Sequence, residues 1–216
     1  MFLPLLGPYA ALLRRWLPAG VAAPDPSQPL HLDPNAAELP PLALAAAARE
    51  SLRMADVLES MLQAASDALI GGDRKRMAET RRLDDVLDRL NAAIKSYLST
   101  LDPEGLTDQD QRRIAQILAF TTHLEHAGDV ADKNLMAHAS KCIKQALSLS
   151  LQGRVQIAEL LQRLIRNLRA AGAVFMTGDP RAARELAGEK LAFRQVEAAA
   201  TEAHLARLRA GRGIEA

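Results

Sequence analysis

Aromatic residues are scarce in this chain of 216 residues, where phenylalanine, tryptophan and tyrosine together account for 3%. Runs of β-branched residues are few, and no stretch alternates between apolar and polar side chains as a half-buried strand would. Alanine, leucine and arginine dominate the composition instead. The sequence therefore predicts an all-α protein with an aliphatic core.

Cysteine and net charge are also low. The single cysteine, Cys142, excludes an intramolecular disulfide framework and suits a reducing compartment. The 27 lysines and arginines nearly balance the 26 aspartates and glutamates, so the formal net charge is +1. Because no long basic face stands out, the sequence disfavours a nucleic-acid-binding protein.

Common catalytic motifs are missing as well. The chain contains no glycine-rich phosphate loop followed by Lys-Ser or Lys-Thr, no serine nucleophile elbow, no zinc-ligand spacing and no Glu-x-x-His. No nucleophile with an adjacent base can be named, and a hydrolase built on the acidic residues lacks a candidate base. We therefore predict that the chain is not an enzyme.

The N-terminal stretch, residues 1–17, is apolar apart from Arg14 and Arg15, which Trp16 follows. A membrane helix needs about 20 apolar residues, so this stretch is too short to be a complete one. It resembles the end of a membrane helix, and arginines in that place predict that the following residues are cytoplasmic. The alternative is an amphipathic or irregular N-terminus.

Proline-rich residues 18–40 are predicted to form an irregular linker.

Five long helices are predicted from apolar residues that recur every three or four positions. Two pairs, Gly72-Asp73 and Gly178-Asp179, each end one helix and cap the next, and they suggest a duplicated three-helix unit that lacks its last helix. Residues 41–150 would form the first unit and residues 151–211 an incomplete second unit, with a tail at 212–216. The predicted helices run from Pro41 to Ile70, Asp73 to about Leu101, Thr107 to about Ser150, Val155 to Met176 after a break at Gln152-Gly153, and from the joint Thr177-Gly-Asp-Pro180 to about Ala210.

Two acidic residues interrupt the mostly apolar face of the third predicted helix. Glu125 and Asp129 are four residues apart, which places them on the same side of that helix. Asp84 and Asp88 have the same spacing on the second helix, and antiparallel packing of the two helices would bring both pairs face to face. Four carboxylates from two helices make an oxygen-rich site for Mg²⁺, Mn²⁺, Ca²⁺ or iron.

The alternative interpretation of these acidic residues is a solvated helix surface. Arg81, Arg82, Arg89 and Lys133 are close enough in sequence to pair with them, and acids at this spacing are common on helix surfaces. His123 and His126 flank Glu125, but histidines beside an apolar face pack more often than they ligate, and imidazole prefers softer metals.

The segment from Leu124 to Leu135, Leu-Glu-His-Ala-Gly-Asp-Val-Ala-Asp-Lys-Asn-Leu, resembles the signature helix of PhoU-like domains. It is most similar to the version at the cytoplasmic end of bacterial sodium/phosphate cotransporters, in which an asparagine also follows the lysine at position 133. The resemblance extends in order over residues 31–211. It also includes Arg49 to Asp56, Leu83 to Leu90 with Ile94 to Leu98, and Glu189 to Arg194 through His204 to Leu208.

The resemblance implies a PhoU-like fold of antiparallel three-helix bundles, of which the second is incomplete because its last helix is absent. It also implies that Asp84, Asp88, Glu125 and Asp129 bind a divalent metal or iron. The fifth helix offers no clear acidic pair for a second metal cluster. Helices four and five would leave an apolar flank that the missing segment or another copy of the chain covers.

The implied function is regulatory. The chain would be the cytoplasmic PhoU-like domain of a sodium-dependent phosphate transporter, located at the cytoplasmic face of the bacterial inner membrane. Its expected partners are the membrane transport domain of the same family, which handles the phosphate, and a second copy of the chain in a homodimer. The alternative function is a stand-alone helical signalling bundle that accepts a phosphoryl group on His123 or His126.

Overall fold

A computed structural model describes residues 25–145, 147–209 and 214–215. The membrane-helix end predicted for residues 1–17 lies outside these ranges. The first part of the linker, from residue 18 to residue 24, also lies outside them, as do residue 210 and most of the predicted tail. Among the described helices, none is both long enough and apolar enough to cross a membrane.

The architecture is all-α, as predicted from the composition. A six-residue π-helical segment joins α3 to α4 without a break, so the described residues contain five long helices. Two 3₁₀ turns, Pro34–Glu38 and Pro103–Gly105, precede α1 and α3, and two-residue strands β1 (Ser148–Leu149) and β2 (Ile214–Glu215) pair antiparallel. The helices are α1 (Pro40–Gly71), α2 (Arg74–Leu98), α3 (Asp108–Asp129), the π segment (Val130–Leu135), α4 (Met136–Lys144), α5 (Leu151–Thr177) and α6 (Pro180–Arg209).

The helix ends follow from local sequence. Gly72 and Gly178 adopt left-handed backbone conformations with φ of 67° and 63°, which only glycine adopts without strain, and each ends a helix as predicted. The Asp73 carboxylate accepts a 2.8 Å hydrogen bond from the Lys75 backbone N–H at the start of α2. Thr107 and Asp110 form the reciprocal capping box that starts α3.

Helix α1 lies at the centre of the bundle, where it packs against α2, α3 and α5. The core between these helices consists of aliphatic side chains that have no exposed surface or almost none, among them Leu58, Leu87, Leu90, Ile94 and Ile117. In contrast, α6 packs mainly against α5, and none of its residues is buried. Whether residues 41–150 and 151–211 are separate bundles stays a prediction.

Three helix boundaries differ from the prediction. The second helix ends at Leu98, before Leu101, and the third continuous helix ends at Lys144, well before Ser150. The predicted break at Gln152-Gly153 is wrong, because the Ser150 hydroxyl accepts a hydrogen bond from the Gly153 backbone N–H at 3.2 Å, and α5 starts at Leu151, four residues before the predicted Val155. A serine cap at the first turn thus outweighs the weak helix propensity of glycine.

The π segment shifts the buried face of the third continuous helix. Its buried residues follow the predicted spacing through Leu124, Gly128 and Ala131, but the next fully buried side chain is Met136, five positions on. Regular three-four spacing after Ala131 would bury Leu135, but that side chain is only half-buried. A π turn accommodates one extra residue, so every side chain after it is rotated relative to a regular α-helix.

Residues 25–39, called the N-terminal strap below, lie along α1 and α2. Glu50 on α1 is fully buried, and its carboxylate accepts hydrogen bonds from the backbone N–H groups of Leu30 and His31 at 3.0 and 2.9 Å. The same carboxylate pairs with Arg53, which also donates to strap carbonyl oxygens. From α2, the Tyr97 hydroxyl donates to the Asp33 carbonyl at 2.9 Å. The predicted linker is therefore irregular but fixed to the bundle.

Candidate acidic site between α2 and α3

The acidic site depends on close contact between α2 and α3 at Gly128. A Cβ atom added at Gly128 would lie 2.6 Å from Leu87 Cδ1, closer than real Cβ contacts, and 3.0 Å from Asp84 Oδ1, so that these neighbours would have to shift. Leu87 is fully buried and cannot move away. Glycine at this position therefore allows α3 to approach α2 at the level of the carboxylates.

The structure brings the four predicted ligands to this contact, although to different depths. On α2, Asp84 is buried with 8% of its surface exposed, whereas Asp88 is exposed one turn later. On α3, the side chains of Glu125 and Asp129 are partly buried, with 27% and 32% of their surface exposed. Asp132 in the π segment joins them, with 12% of its side chain exposed.

The pKa values show that the carboxylates lie close enough to repel one another. Burial, together with the negative charges of Asp88, Asp132 and Asp129, raises the pKa of Asp84 to about 6. Burial also raises the pKa of Asp88, with added repulsion from Glu125 and Asp129. This mutual repulsion means that the site favours any added positive charge.

Lys133 supplies part of that positive charge. Its Nζ atom lies 2.6 Å from Asp129 Oδ1, and the hydrogen bond to Asp129 raises the pKa of Lys133. Arg81 is a weaker partner, since its Nε atom lies 3.8 Å from Asp132 Oδ1. Asp132 Oδ1 itself is buried and accepts no hydrogen bond. A buried carboxylate oxygen without a donor is an unsatisfied ligand position.

The chemistry of these donors fits a hard cation, because every candidate atom is a carboxylate oxygen and one of them lacks a partner. The geometry is less complete. In the part of the chain that the structure describes, no three histidine, cysteine, aspartate or glutamate side chains converge as a metal-ligand group. Asp129 is paired with Lys133, so a cation at the site would have to displace the lysine amine. Metal binding therefore stays a prediction that the donor chemistry supports.

Other predicted site residues lie around this cluster. His123 and His126 are both exposed, and His126 Nε2 lies 3.6 Å from Glu125 Oε2. The sequence offered Lys133 as one of four basic residues that could pair with the acidic residues, and the structure pairs it with Asp129. The only available signal was the four-residue spacing from Asp129 to Lys133, which is favourable for an ion pair within one helix.

The free energy of unfolding is expected to rise by about 2 kcal/mol as the pH falls from 7 to 4.5, measured by urea denaturation in buffer containing a chelator. The reason is that the raised pKa lets folded Asp84 take up a proton near pH 6, whereas in the unfolded chain the same carboxyl titrates near pH 4. Above pH 6 the buried negative charge of Asp84 destabilises the folded state, and below pH 6 protonation removes that charge.

Asp84→Asn should abolish this pH-dependent gain and stabilise the chain at pH 7. The matched control is Asp85→Asn, which removes an exposed carboxyl from the next position of α2 and should leave the profile unchanged. A wild-type stability that falls over the same pH interval would contradict the prediction.

Comparison with known proteins identifies the segment that carries this site. The family model described as PhoU domain matches residues 51–136, from α1 to the start of α4. This segment is a PhoU domain. All four predicted ligands, as well as Gly128 and Lys133, lie inside it. The predicted resemblance to PhoU-like domains is confirmed.

Similarity to curated proteins extends beyond the PhoU domain. A relative from Escherichia coli O157:H7, named "Putative inorganic phosphate export protein YjbB", is 36% identical over 181 residues, which cover 84% of this chain and 33% of the relative. The relative of the same name from Escherichia coli strain K12 gives the same values, and that from Salmonella typhimurium strain LT2 is 35% identical over 181 residues. The chain spans about a third of the length of these relatives. No solved structure matches it significantly.

Proposed function

We propose that the chain is the cytoplasmic PhoU regulatory domain of a sodium-dependent phosphate transporter at the bacterial inner membrane. A role in phosphate homeostasis is supported by the PhoU domain and by the similarity to proteins named for inorganic phosphate export. The domain would act on a membrane transport domain of the same family, which moves the phosphate, and a second copy of the chain is a further proposed partner. The single observation that carries a regulatory role is the charged contact between α2 and α3.

That contact is suited to respond to a cation. Asp84 and Asp88 of α2 and Glu125 and Asp129 of α3 would hold a divalent metal or iron. When bound, the metal would supply positive charge that offsets the repulsion between the two helices. Without it, Lys133 pairs with Asp129 and provides only one charge. Cation binding would therefore change how tightly α2 and α3 associate, which is a physical basis for a regulatory signal.

We propose no catalytic activity for the chain. The acidic site lacks a nucleophile with an adjacent base, and its histidines lie on the surface. The phosphotransfer alternative requires one of those histidines to accept a phosphoryl group. Both are exposed as that function needs, but Glu125 lies beside His126 and its negative charge disfavours a phosphoryl anion there. The observations thus favour cation-dependent regulation.

Replacing Asp88 and Asp129 together with asparagine should remove metal binding, measured by titration calorimetry with Mn²⁺ and by elemental analysis of the purified protein. Loss of two carboxylates leaves too few charged oxygens for a hard cation. Lys133→Met should do the opposite and strengthen Mn²⁺ binding by about tenfold, because the competing amine is gone.

The control for this experiment replaces Asp85 and Asp108 with asparagine, which removes the same charge from exposed positions outside the cluster. Equal metal content in the control and in the Asp88→Asn/Asp129→Asn variant would reject the site. The proposed function itself is tested in cells: the transporter carrying the site variant should lose regulation of phosphate flux, whereas the control should retain it.

A further inference from the structure

A second charged site lies at the other end of the bundle, away from the acidic cluster. A cavity of about 570 Å³ opens between the first turns of α1 and α3 and the last turn of α5. This volume falls within the range of about 300–1,000 Å³ that is typical of ligand pockets. Leu44 and Met176 contribute apolar surface to its wall. The proposed function makes no use of this cavity.

The charge of the cavity wall is predominantly positive. Three arginines from two helices, Arg49 of α1 and Arg112 and Arg113 of α3, line it together with the amide side chains of Gln109 and Gln116. The only carboxylate in the lining is Asp110, which is held by the capping box through bonds of 3.0 and 2.7 Å from the backbone N–H and hydroxyl of Thr107. The cavity wall thus carries three guanidinium groups and one carboxylate, and that carboxylate is already hydrogen-bonded to Thr107.

The three arginines form no ion pair with any residue that the structure describes. Within residues 25–145, 147–209 and 214–215, no carboxylate lies within 4 Å of Arg49, Arg112 or Arg113. Arg113 is half-buried, donates to the Phe175 carbonyl at 2.9 Å and lies 4.5 Å from the Phe175 ring centroid. Burial lowers its pKa, as expected for a cation without an adjacent anion.

We infer that this cavity binds a small phosphate-type anion, held by Arg49 and Arg112 with Arg113 behind them. Guanidinium groups present paired N–H donors that match the oxygens of a phosphoryl group, and the glutamine amides add neutral donors. The N-terminal end of α3 contributes further positive potential. The same chemistry would accept free inorganic phosphate or the phosphate of a lipid headgroup.

The test uses the purified 216-residue chain and inorganic phosphate in equilibrium dialysis. The variant Arg49→Gln/Arg112→Gln removes two guanidinium groups from side chains that are exposed, so the fold should survive. It should bind phosphate at least tenfold more weakly than the wild type. The matched control is Arg184→Gln/Arg194→Gln, which removes the same charge from exposed positions on α6 and should bind like the wild type.

A second arm distinguishes the two sources of the anion by co-sedimentation with vesicles. Phosphate binding that the cavity variant loses assigns the site to free phosphate. Binding to phosphatidylglycerol vesicles but not to phosphatidylcholine vesicles, lost in the same variant, assigns it to a lipid headgroup. An absence of binding in both arms, or equal loss in the cavity variant and the control, overturns the inference.

The choice of a phosphate-type anion rests on the proposed function, but the two can fail separately. Loss of flux regulation in the acidic-site variant, combined with no anion binding at the cavity, removes this inference and leaves the proposed function in place. Anion binding at the cavity, combined with unchanged flux regulation in the acidic-site variant, removes the proposed function and leaves this inference in place.

Discussion

Glu50→Ala is expected to destabilise the folded chain by about 3 kcal/mol, the largest effect that we predict for a single polar side chain. The carboxylate is fully buried in α1 and holds the N-terminal strap through the backbone N–H groups of Leu30 and His31. Alanine would leave these donors without their acceptor and would leave Arg53 without its counterion.

The stability change is measured by urea denaturation followed by circular dichroism. Hydrogen exchange at Leu30 and His31 provides a second measurement, because release of the strap should remove the protection of both amides. Glu50→Gln, which keeps one carbonyl acceptor, should cost roughly half as much.

Glu38→Ala is the control for this prediction. It removes an exposed glutamate from the strap and should change stability by less than about 0.5 kcal/mol. A Glu50→Ala protein that matches this control in stability and in amide protection would show that the strap is held by other contacts.

Gly128→Val is expected to destabilise the chain by about 3 kcal/mol, at the upper end of what overpacking costs in a protein core. Even a single added carbon would meet Leu87 and Asp84, and valine adds two further methyl groups at the same point. Because Leu87 is fully buried, the strain can be relieved only by moving α3 away from α2. The same movement would separate the acidic pairs, so Mn²⁺ binding should weaken together with stability.

The matched control is Gly188→Val on α6, where a Cβ atom would meet nothing within 4 Å. Helix propensity alone then applies, and the stability should rise by a few tenths of a kcal/mol, about the difference between glycine and valine in a helix. Similar stability losses at both glycines, measured by urea denaturation, would show that the effect at Gly128 is not steric.

The helices and their ends could be predicted from the sequence because the interactions that form them are local. A left-handed glycine, an aspartate that accepts the N–H two residues on, and a Thr-x-x-Asp capping box each act within four residues. Every position of the three-four face of α1 from Leu44 to Ala68 is buried, as its spacing predicts, although α1 also buries Glu50, which the spacing did not indicate. The regular three-four spacing of that face leaves little choice about which side is buried.

The acidic site could be predicted only in part. Spacing placed each pair of carboxylates on one side of a helix, and the structure brings the two pairs to the contact between α2 and α3. Spacing could not show that Asp84 is buried while Asp88 is exposed, because depth depends on how closely Gly128 lets the helices approach. Nor could it show the partnership of Lys133 and Asp129, since several basic residues nearby were equally suitable by sequence alone.

By itself, the sequence determined the all-α architecture, the helix caps, the PhoU domain and the facing acidic residues, because periodicity and capping are encoded within one or two helical turns. Only the tertiary structure decided the burial of Glu50, the extra residue in the π segment and the arginine cavity. Two of these depend on groups distant in sequence: Glu50 meets the strap about 20 residues away, and the cavity joins α1, α3 and α5. Contacts of this kind are selected by packing, which no local pattern records.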